Sequence, residues 1–153
     1  MILIAHRGNI NGKVEKLENS PSYIDFAIEQ GYDVEIDVWY HQHEFWLGHD
    51  EPSYEVSLKW LTDRKDSLWI HCKDLISIDM LRELQIHNKV DLNYFFHDTD
   101  DCTITSKGDL WVYPGKQPVK NSIAVMPEWH DDDVSLCKGI CSDNIIKWKH
   151  LNE

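Results

Sequence analysis

The first half of the chain alternates between strand and helix patterns of apolar residues. Residues 2–5 are apolar and predict a buried strand, and residues 34–38 alternate apolar and acidic side chains with the two-residue period of a second strand. Between them, Ser20 and Pro21 fit the N-cap and first position of a helix, and Gly31 fits its C-terminal stop. A strand, a helix and a second strand of these lengths are typical of a βαβ unit with parallel strands.

The pattern becomes rich in strands toward the C terminus. Further strands are predicted at residues 45–47, 68–70, 93–96, 103–105, 110–113, 123–126 and 139–142, and further helices at residues 57–63, 75–87 and 131–138. In the helix at 75–87, Ile76, Met80 and Leu84 form one apolar stripe. Most connections beyond residue 90 are too short for a full helix, so a regular α/β first half precedes an abbreviated second half.

Composition and charge narrow the class of protein. The 153 residues predict one domain over residues 1–153, and seven Trp, six Tyr and four Phe supply the bulk of a core. A net charge of −12 disfavours a nucleic-acid partner. No apolar stretch approaches the ~20 residues of a membrane span, and no signal peptide precedes the first strand. With its four cysteines read as reduced thiols, we expect a cytoplasmic protein without a membrane span.

Polar side chains collect where the predicted strands end. Because the carboxyl ends of parallel strands meet at one rim of a β/α fold, we expect these side chains to lie close together. Glu35 and Asp37 are two residues apart and share one face of their strand, as do His71 and Lys73. The candidate site residues are His6, Arg7, Glu18, Glu35, Asp37, His49, His71 and Lys73.

These residue types together indicate phosphodiester cleavage. Two carboxylates that point together repel each other unless a cation lies between them, and oxygen ligands select Mg²⁺ or Ca²⁺. Two histidines divide the proton transfers between nucleophile and leaving group. Arg7 suits two-pronged contact with a phosphate, and Lys73 adds a point charge.

Four motifs in order carry a resemblance to a known family. His6-Arg7-Gly8, Glu18-Asn19-Ser20, Glu35-x-Asp37 and His49-Asp50 resemble the glycerophosphodiester phosphodiesterase family, within the phosphatidylinositol-phospholipase-C-like phosphodiesterases. The match is dense over residues 2–50 and thin afterwards. The tail that ends in Asp143 is similar to the end of the family's last strand. The resemblance implies an α/β fold, an abbreviated (β/α)8 TIM-type barrel that has lost helices in its second half.

The resemblance also implies roles for individual residues. His6 and His49 fall on the family's acid/base pair, without showing which is the base, and Glu35 and Asp37 fall on two metal ligands. Arg7 falls on the phosphate-binding arginine, while Glu18 and Lys73 complete the substrate-binding set. The implied activity is that of a metal-dependent phosphoric diester hydrolase acting on a small glycerophosphodiester-like substrate.

One position departs from the family. The usual pattern places a third acidic ligand two residues before a lysine, where this chain has His71. If His71 is a ligand, the preference shifts from Mg²⁺ or Ca²⁺ toward Mn²⁺ or Zn²⁺. Alternatively, the two carboxylates and water hold the ion, the ion binds weakly, or His71 is a core histidine bonded to a neighbour.

Chain length is the second departure, since such barrels usually need about 200 residues or more. A shortened barrel exposes sheet edges or apolar surface, and we therefore expect a homodimer.

Two rival interpretations remain. The first is a non-catalytic phosphodiester- or metal-binding descendant of the same fold. The second is a metal-assisted hydrolase of another ester, which the cationic pair Arg7 and Lys73 disfavours.

Overall fold

A computed structural model describes residues 1–152 of the chain. These residues contain ten strands and a few short helices, joined by turns and loops. Glu153, the last residue of the predicted domain, lies outside the described residues. The strands are β1 (Ile2–His6), β2 (Asp33–His41), β3 (Glu44–Leu47), β4 (Tyr54–Val56), β5 (Leu68–Cys72), β6 (Asn93–Phe96), β7 (Cys102–Ile104), β8 (Leu110–Val112), β9 (Ser122–Val125) and β10 (Gly139–Ser142). The α-helices are α1 (Pro21–Glu29), α2 (Leu58–Asp63) and α3 (Leu75–Ile86), and two 3-10 helices span Pro127–Trp129 and Ile145–Asn152.

The strands form one mixed sheet that curls into a half-barrel. Seven of them run parallel in the spatial order β6-β5-β2-β1-β10-β9-β8. β7 pairs antiparallel with β8, and β3 and β4 form an antiparallel extension along the end of β2. The curl brings the ends of this path together, since the backbone N–H of Ser106 donates to the carbonyl of Tyr94 at 2.8 Å.

The predicted (β/α)8 TIM-type barrel is therefore wrong. The parallel βαβ beginning is confirmed by the pairing of β1 with β2. However, β2 turns back into an antiparallel hairpin, and the connections after β6 hold no α-helix among the described residues. Nine residues link β8 to β9 and include Pro114, Gly115 and Pro118, which break helices. Too few helices remain to surround the sheet, so it stays a curled mixed sheet.

Two apolar layers hold the sheet. The outer layer packs α1 and α3 against the convex face, with Ile24, Ala27 and Leu81 fully buried. The inner layer is formed by Ile4, Trp69, Phe95, Trp111, Ile123 and Cys141. Side chains alternate between the two faces of a strand, so the residue two positions after each of these inner residues also points inward. These positions lie at the C-terminal ends of the strands, directly above the inner apolar layer.

Two local predictions differ from the structure. The apolar stripe predicted on α3 is wrong in part, because Ser77 and Leu81 are the buried residues of this helix while Ile76 is exposed. The helix predicted at residues 131–138 is absent from the described chain. The backbone N–H of Ser135 donates to the side chain of Asp133 instead of to a helical carbonyl, and aspartates at turns commonly compete with helices in this way.

All four cysteines are free thiols in the structure. Among residues 1–152, none of the helices has the length and hydrophobicity needed to cross a lipid bilayer.

Candidate functional site

A cavity of about 330 Å³ opens at the C-terminal ends of the parallel strands, above the inner apolar layer. The predicted site residues that line it are His6, Arg7, Glu35, His49, His71 and Lys73. Asp37 lies buried in direct contact with four of these side chains, and Glu18 pairs with Arg7. The structure thus brings the predicted set together, and strand register accounts for the members that lie in strands. His6 lies beside Glu35 across β1 and β2, and Asp37 lies beside His71 across β2 and β5.

Glu35, Asp37 and His71 form a cluster with the dimensions of a metal site. One potential ligand atom from each lies within 4.8 Å of the other two. His71 Nδ1 is 3.6 Å from Glu35 Oε1 and 3.3 Å from Asp37 Oδ1. Glu35 Oε2 and Asp37 Oδ1 are buried and form no hydrogen bond within the described chain. Because buried carboxylate oxygens without hydrogen bonds are costly, the donor set fits a divalent cation.

A backbone contact orients His71 toward the carboxylates. Its Nε2 lies 2.9 Å from the carbonyl oxygen of His97, which only accepts, so Nε2 carries a proton and Nδ1 faces Glu35 and Asp37. Its ring also stacks on Phe95 with centroids 5.2 Å apart. Burial acts to lower the pKa of His71, but the adjacent carboxylates outweigh burial and raise the pKa to about 9. Without a cation, His71 is therefore an imidazolium at neutral pH.

Asp37 is the most tightly held carboxylate of the site. Asn19 donates to Asp37 Oδ2 and accepts from the backbone N–H of Asp37, both at 2.9 Å. Burial acts to raise the pKa of Asp37, yet His49, His71, Arg7 and Lys73 together hold it well below the usual range. Asp37 is therefore ionised across the physiological pH range.

The bonds between Asn19 and Asp37 predict a large stability effect. We expect Asn19→Ala to lower the free energy of unfolding by about 2–3 kcal/mol, because it removes a hydrogen bond to a buried carboxylate oxygen and leaves a buried backbone N–H without a partner. Urea unfolding followed by tryptophan fluorescence measures the loss. Asn88→Ala is the control, because Asn88 has a similar positive φ (55° against 62°) but is exposed. Equal losses in the two variants would show that backbone conformation alone causes the effect.

Arg7 crosslinks the carboxylates of the site. Its Nη1 donates to Glu18 Oε2 at 3.2 Å, and its Nε lies 2.9 Å from Asp37 Oδ2, although at an angle that makes no hydrogen bond. Burial acts to lower the pKa of Arg7, but the charges of Asp37, Glu35 and Glu18 outweigh it and raise the pKa. Its Nη2 lies 3.5 Å from His49 Nε2, at the cavity wall. Glu18 thus acts on Arg7 rather than facing the same cavity.

His6 forms a histidine–carboxylate pair with Asp143, the residue directly after β10. The distance from His6 Nδ1 to Asp143 Oδ1 is 2.7 Å, and Asn9 also donates to Asp143 Oδ1 at 2.8 Å. Burial acts to raise the pKa of Asp143, but these contacts with His6 and Asn9 outweigh it and lower the pKa. The other ring nitrogen of His6, Nε2, lies 3.7 Å from Glu35 Oε2.

His49 is the more accessible of the two predicted catalytic histidines, with 42% of its side chain exposed. Its Nδ1 lies 3.5 Å from Asp37 Oδ2, and its Nε2 lies 3.6 Å from Asp50 Oδ1. It follows Gly48, whose carbonyl accepts a hydrogen bond from the indole of Trp39. The two histidines therefore reach the site from differently exposed positions.

The site also contains residues without a role in the sequence prediction. Asp143 and Asn9 support His6, while His97, Tyr113 and Trp129 line the cavity. Burial and the positive charge of His71 lower the pKa of His97. His97, Tyr113 and Asp143 each follow directly after a parallel strand, the position that the strand-end rule marks, and Asp143 was also part of the resemblance. Asn9 lies in a loop and carries no such signal.

Comparison of the chain with protein-family models, with curated proteins and with solved structures finds no match.

Proposed function

We propose that this protein is a metal-dependent phosphodiester hydrolase that acts on a small, glycerophosphodiester-like substrate. One observation carries the proposal. The cluster of Glu35, Asp37 and His71, which fits a cation, lies at the same cavity as the His6–Asp143 pair and the cationic side chains of Arg7 and Lys73. The resemblance over residues 2–50 adds support from the order of the same residues along the chain.

His6 is the better candidate for the general base. Its Nδ1 is engaged by Asp143, so Nε2 is the nitrogen that takes a proton from the attacking water molecule, and the carboxylate stabilises the resulting imidazolium. His49 is then the acid that returns a proton to the leaving alkoxide as the phosphorus–oxygen bond breaks. Its exposed position suits a leaving group that departs toward solvent.

Charge in the cavity suits an anionic substrate despite the acidic surface. Lys73 Nζ lies 3.6 Å from Asp37 Oδ1, and the guanidinium of Arg7 reaches the same cavity. Both side chains orient a phosphate by charge and hydrogen bonds. A divalent cation held by Glu35, Asp37 and His71 would neutralise charge on the phosphoryl oxygens and orient the attacking oxygen.

Hydrolysis assays test the proposal directly. Bis(p-nitrophenyl) phosphate and glycerophosphocholine are incubated with the purified protein in Mg²⁺, Ca²⁺, Mn²⁺ or EDTA. We expect turnover that requires a cation and disappears in EDTA. His87→Ala is the matched control, because His87 is exposed at the end of α3, outside the cavity residues. If calorimetry detects metal binding but no diester of a broader panel is hydrolysed, the chain is a non-catalytic binding protein. The presence of His71 in place of the family's acidic ligand favours this rival interpretation.

We further propose that the chain forms a homodimer through an apolar groove beside α3. Ile86, Phe96 and Ile104 are exposed around this groove, where the shortened second half places no α-helix among the described residues. Light scattering coupled to size-exclusion chromatography is expected to show a dimer that Ile104→Lys converts to a monomer. A monomeric wild-type chain at every concentration would contradict this prediction.

A cytoplasmic location is also part of the proposal. Four free thiols, two of them buried, are typical of proteins in a reducing compartment. Cell fractionation with an antibody against the chain tests it, and recovery of the chain outside the cytoplasm would contradict it.

A further inference from the structure

Asn9 is fully buried in the loop after β1, and it is not among the residues that line the catalytic cavity. Its side-chain nitrogen Nδ2 lies 2.8 Å from Glu18 Oε1 and 2.8 Å from Asp143 Oδ1. An asparagine amide nitrogen carries two hydrogens, so it donates one of them to each carboxylate. One buried amide therefore holds two acidic side chains that come from distant parts of the chain.

Each of these two carboxylates also contacts a different functional side chain. Glu18 Oε2 accepts a hydrogen bond from Arg7 Nη1 at 3.2 Å, and Asp143 Oδ1 lies 2.7 Å from His6 Nδ1. Arg7 is the side chain proposed to hold the phosphate, and His6 is the proposed general base. The phosphate-binding arginine and the base are thus joined by a path of contacts that passes through Asn9.

The oxygen of the Asn9 amide has a separate set of contacts. Asn9 Oδ1 accepts from the backbone N–H of Val14 at 3.1 Å and from the hydroxyl of Tyr23 at 3.2 Å. Because both of these partners donate, they fix the oxygen on their side and direct the nitrogen toward the carboxylates. Gly8 allows this packing, since a Cβ there would lie 2.8 Å from Tyr23 Cδ1. The oxygen of Asn9 therefore organises the loop, and its nitrogen faces the site.

We propose that Asn9 is a positioning residue that fixes Arg7 for phosphate binding and His6 for proton transfer at the same time. This inference rests on the proposed function and adds to it a residue outside the cavity. Loss of the amide nitrogen removes the donor that the carboxylates of Glu18 and Asp143 share. A displaced arginine then holds the phosphate less tightly, and a displaced histidine transfers the proton more slowly, so one substitution changes KM and kcat together.

Two substitutions separate the two ends of the Asn9 amide. Asn9→Ala removes both ends, whereas Asn9→Asp keeps an acceptor for Val14 and Tyr23 but donates at most one hydrogen. With bis(p-nitrophenyl) phosphate, we expect both variants to lower kcat at least about tenfold and to raise KM about threefold to tenfold. Asn93→Asp is the matched control, because Asn93 also faces a carboxylate, Asp109 at 3.5 Å, outside the cavity residues.

Binding of inorganic phosphate gives a measurement that needs no turnover. Calorimetry at one fixed Mg²⁺ concentration is expected to show about threefold to tenfold weaker phosphate binding in both Asn9 variants and no change in Asn93→Asp. Urea unfolding establishes that each variant is folded. If neither Asn9 variant folds, NMR of the wild-type chain decides, since phosphate binding should shift the side-chain amide signals of Asn9 and leave those of Asn93 in place.

The outcomes separate this inference from the proposed function. If Asn9→Asp retains the wild-type kcat and KM, the contacts of Oδ1 within the loop are the whole role of Asn9, and the inference is wrong. A change in KM alone or in kcat alone would also overturn it, as would side-chain amide signals of Asn9 that do not respond to phosphate. Loss of phosphate affinity in both Asn9 variants of a chain that hydrolyses no diester would support the positioning of Arg7 and refute the hydrolase.

Discussion

His6→Ala is expected to reduce kcat for bis(p-nitrophenyl) phosphate about a thousandfold, with little change in KM. A positioned acid or base commonly contributes a hundredfold to ten-thousandfold to the rate of proton-transfer chemistry. His6 has the geometry for such a role, because Asp143 holds its Nδ1 at 2.7 Å and leaves Nε2 beside Glu35. KM changes little because Arg7 and Lys73, rather than His6, hold the phosphate in the proposed complex.

A second variant separates proton transfer from simple packing. Asp143→Asn keeps an oxygen that accepts the bond from His6 but removes the negative charge, so we expect a smaller kcat loss, on the order of tenfold to a hundredfold. Steady-state rates are measured with excess Mn²⁺, and metal binding by calorimetry confirms that the Glu35 cluster is intact. If His6→Ala retains more than a tenth of the wild-type kcat, His6 is not the general base.

The sequence predicted the local elements, and the proximity of the candidate site residues, better than it predicted the complete fold. Parallel strands ending in polar residues were predictable, because strand periodicity puts Glu35 and Asp37 on one face of their strand and His71 and Lys73 on one face of theirs. The register of β2 with β5 then brings Asp37 beside His71. The predicted abbreviated barrel was wrong, because β2 turns back into an antiparallel hairpin with β3 and β7 pairs antiparallel with β8, which makes the sheet mixed. The family resemblance covered residues 2–50 and carried no information on that second half.

Tertiary contacts account for the parts of the site to which sequence patterns gave no partner. Asn9 and Asp143 are 134 positions apart, yet they meet because β10 pairs with β1 across the sheet. That pairing joins the two ends of the described chain. The resemblance placed Asp143 at the end of a last strand but gave no contact between Asp143 and Asn9. Similarly, the orientation of His71 depends on a backbone carbonyl of His97, which is a contact that residue identity does not encode.

The affinity for a divalent cation is expected to rise steeply with pH if His71 is a ligand. The pKa of His71 is about 9 in the cation-free chain, raised from 6.5 chiefly by Asp37 and Glu35 against the opposing effect of burial. Coordination through Nδ1 requires the neutral ring, so each bound ion displaces a proton below that pH. The association constant for Mn²⁺ should therefore increase about tenfold per pH unit from pH 7 and level off near pH 9.

The same pKa shift predicts the stability of the cation-free chain. Because the folded pKa of about 9 exceeds the ordinary value of 6.5, protonated His71 stabilises the fold fully below about pH 6.5. That contribution is lost as the pH rises through 9. Thermal unfolding in EDTA should show the decline, and saturating Mn²⁺ should reverse it, since the cation replaces the proton between the carboxylates.

His71→Gln distinguishes a ligand from a structural histidine by the sign of its effect. If His71 binds the cation, the variant binds Mn²⁺ at least tenfold more weakly at pH 8.5, and its affinity loses the pH dependence. If His71 instead remains an imidazolium beside Glu35 and Asp37, removing its positive charge strengthens binding, because it relieves repulsion of the incoming ion. Calorimetry in two buffers of different ionisation enthalpy also counts the protons released, and a value near zero at pH 7.5 would contradict the ligand role of His71.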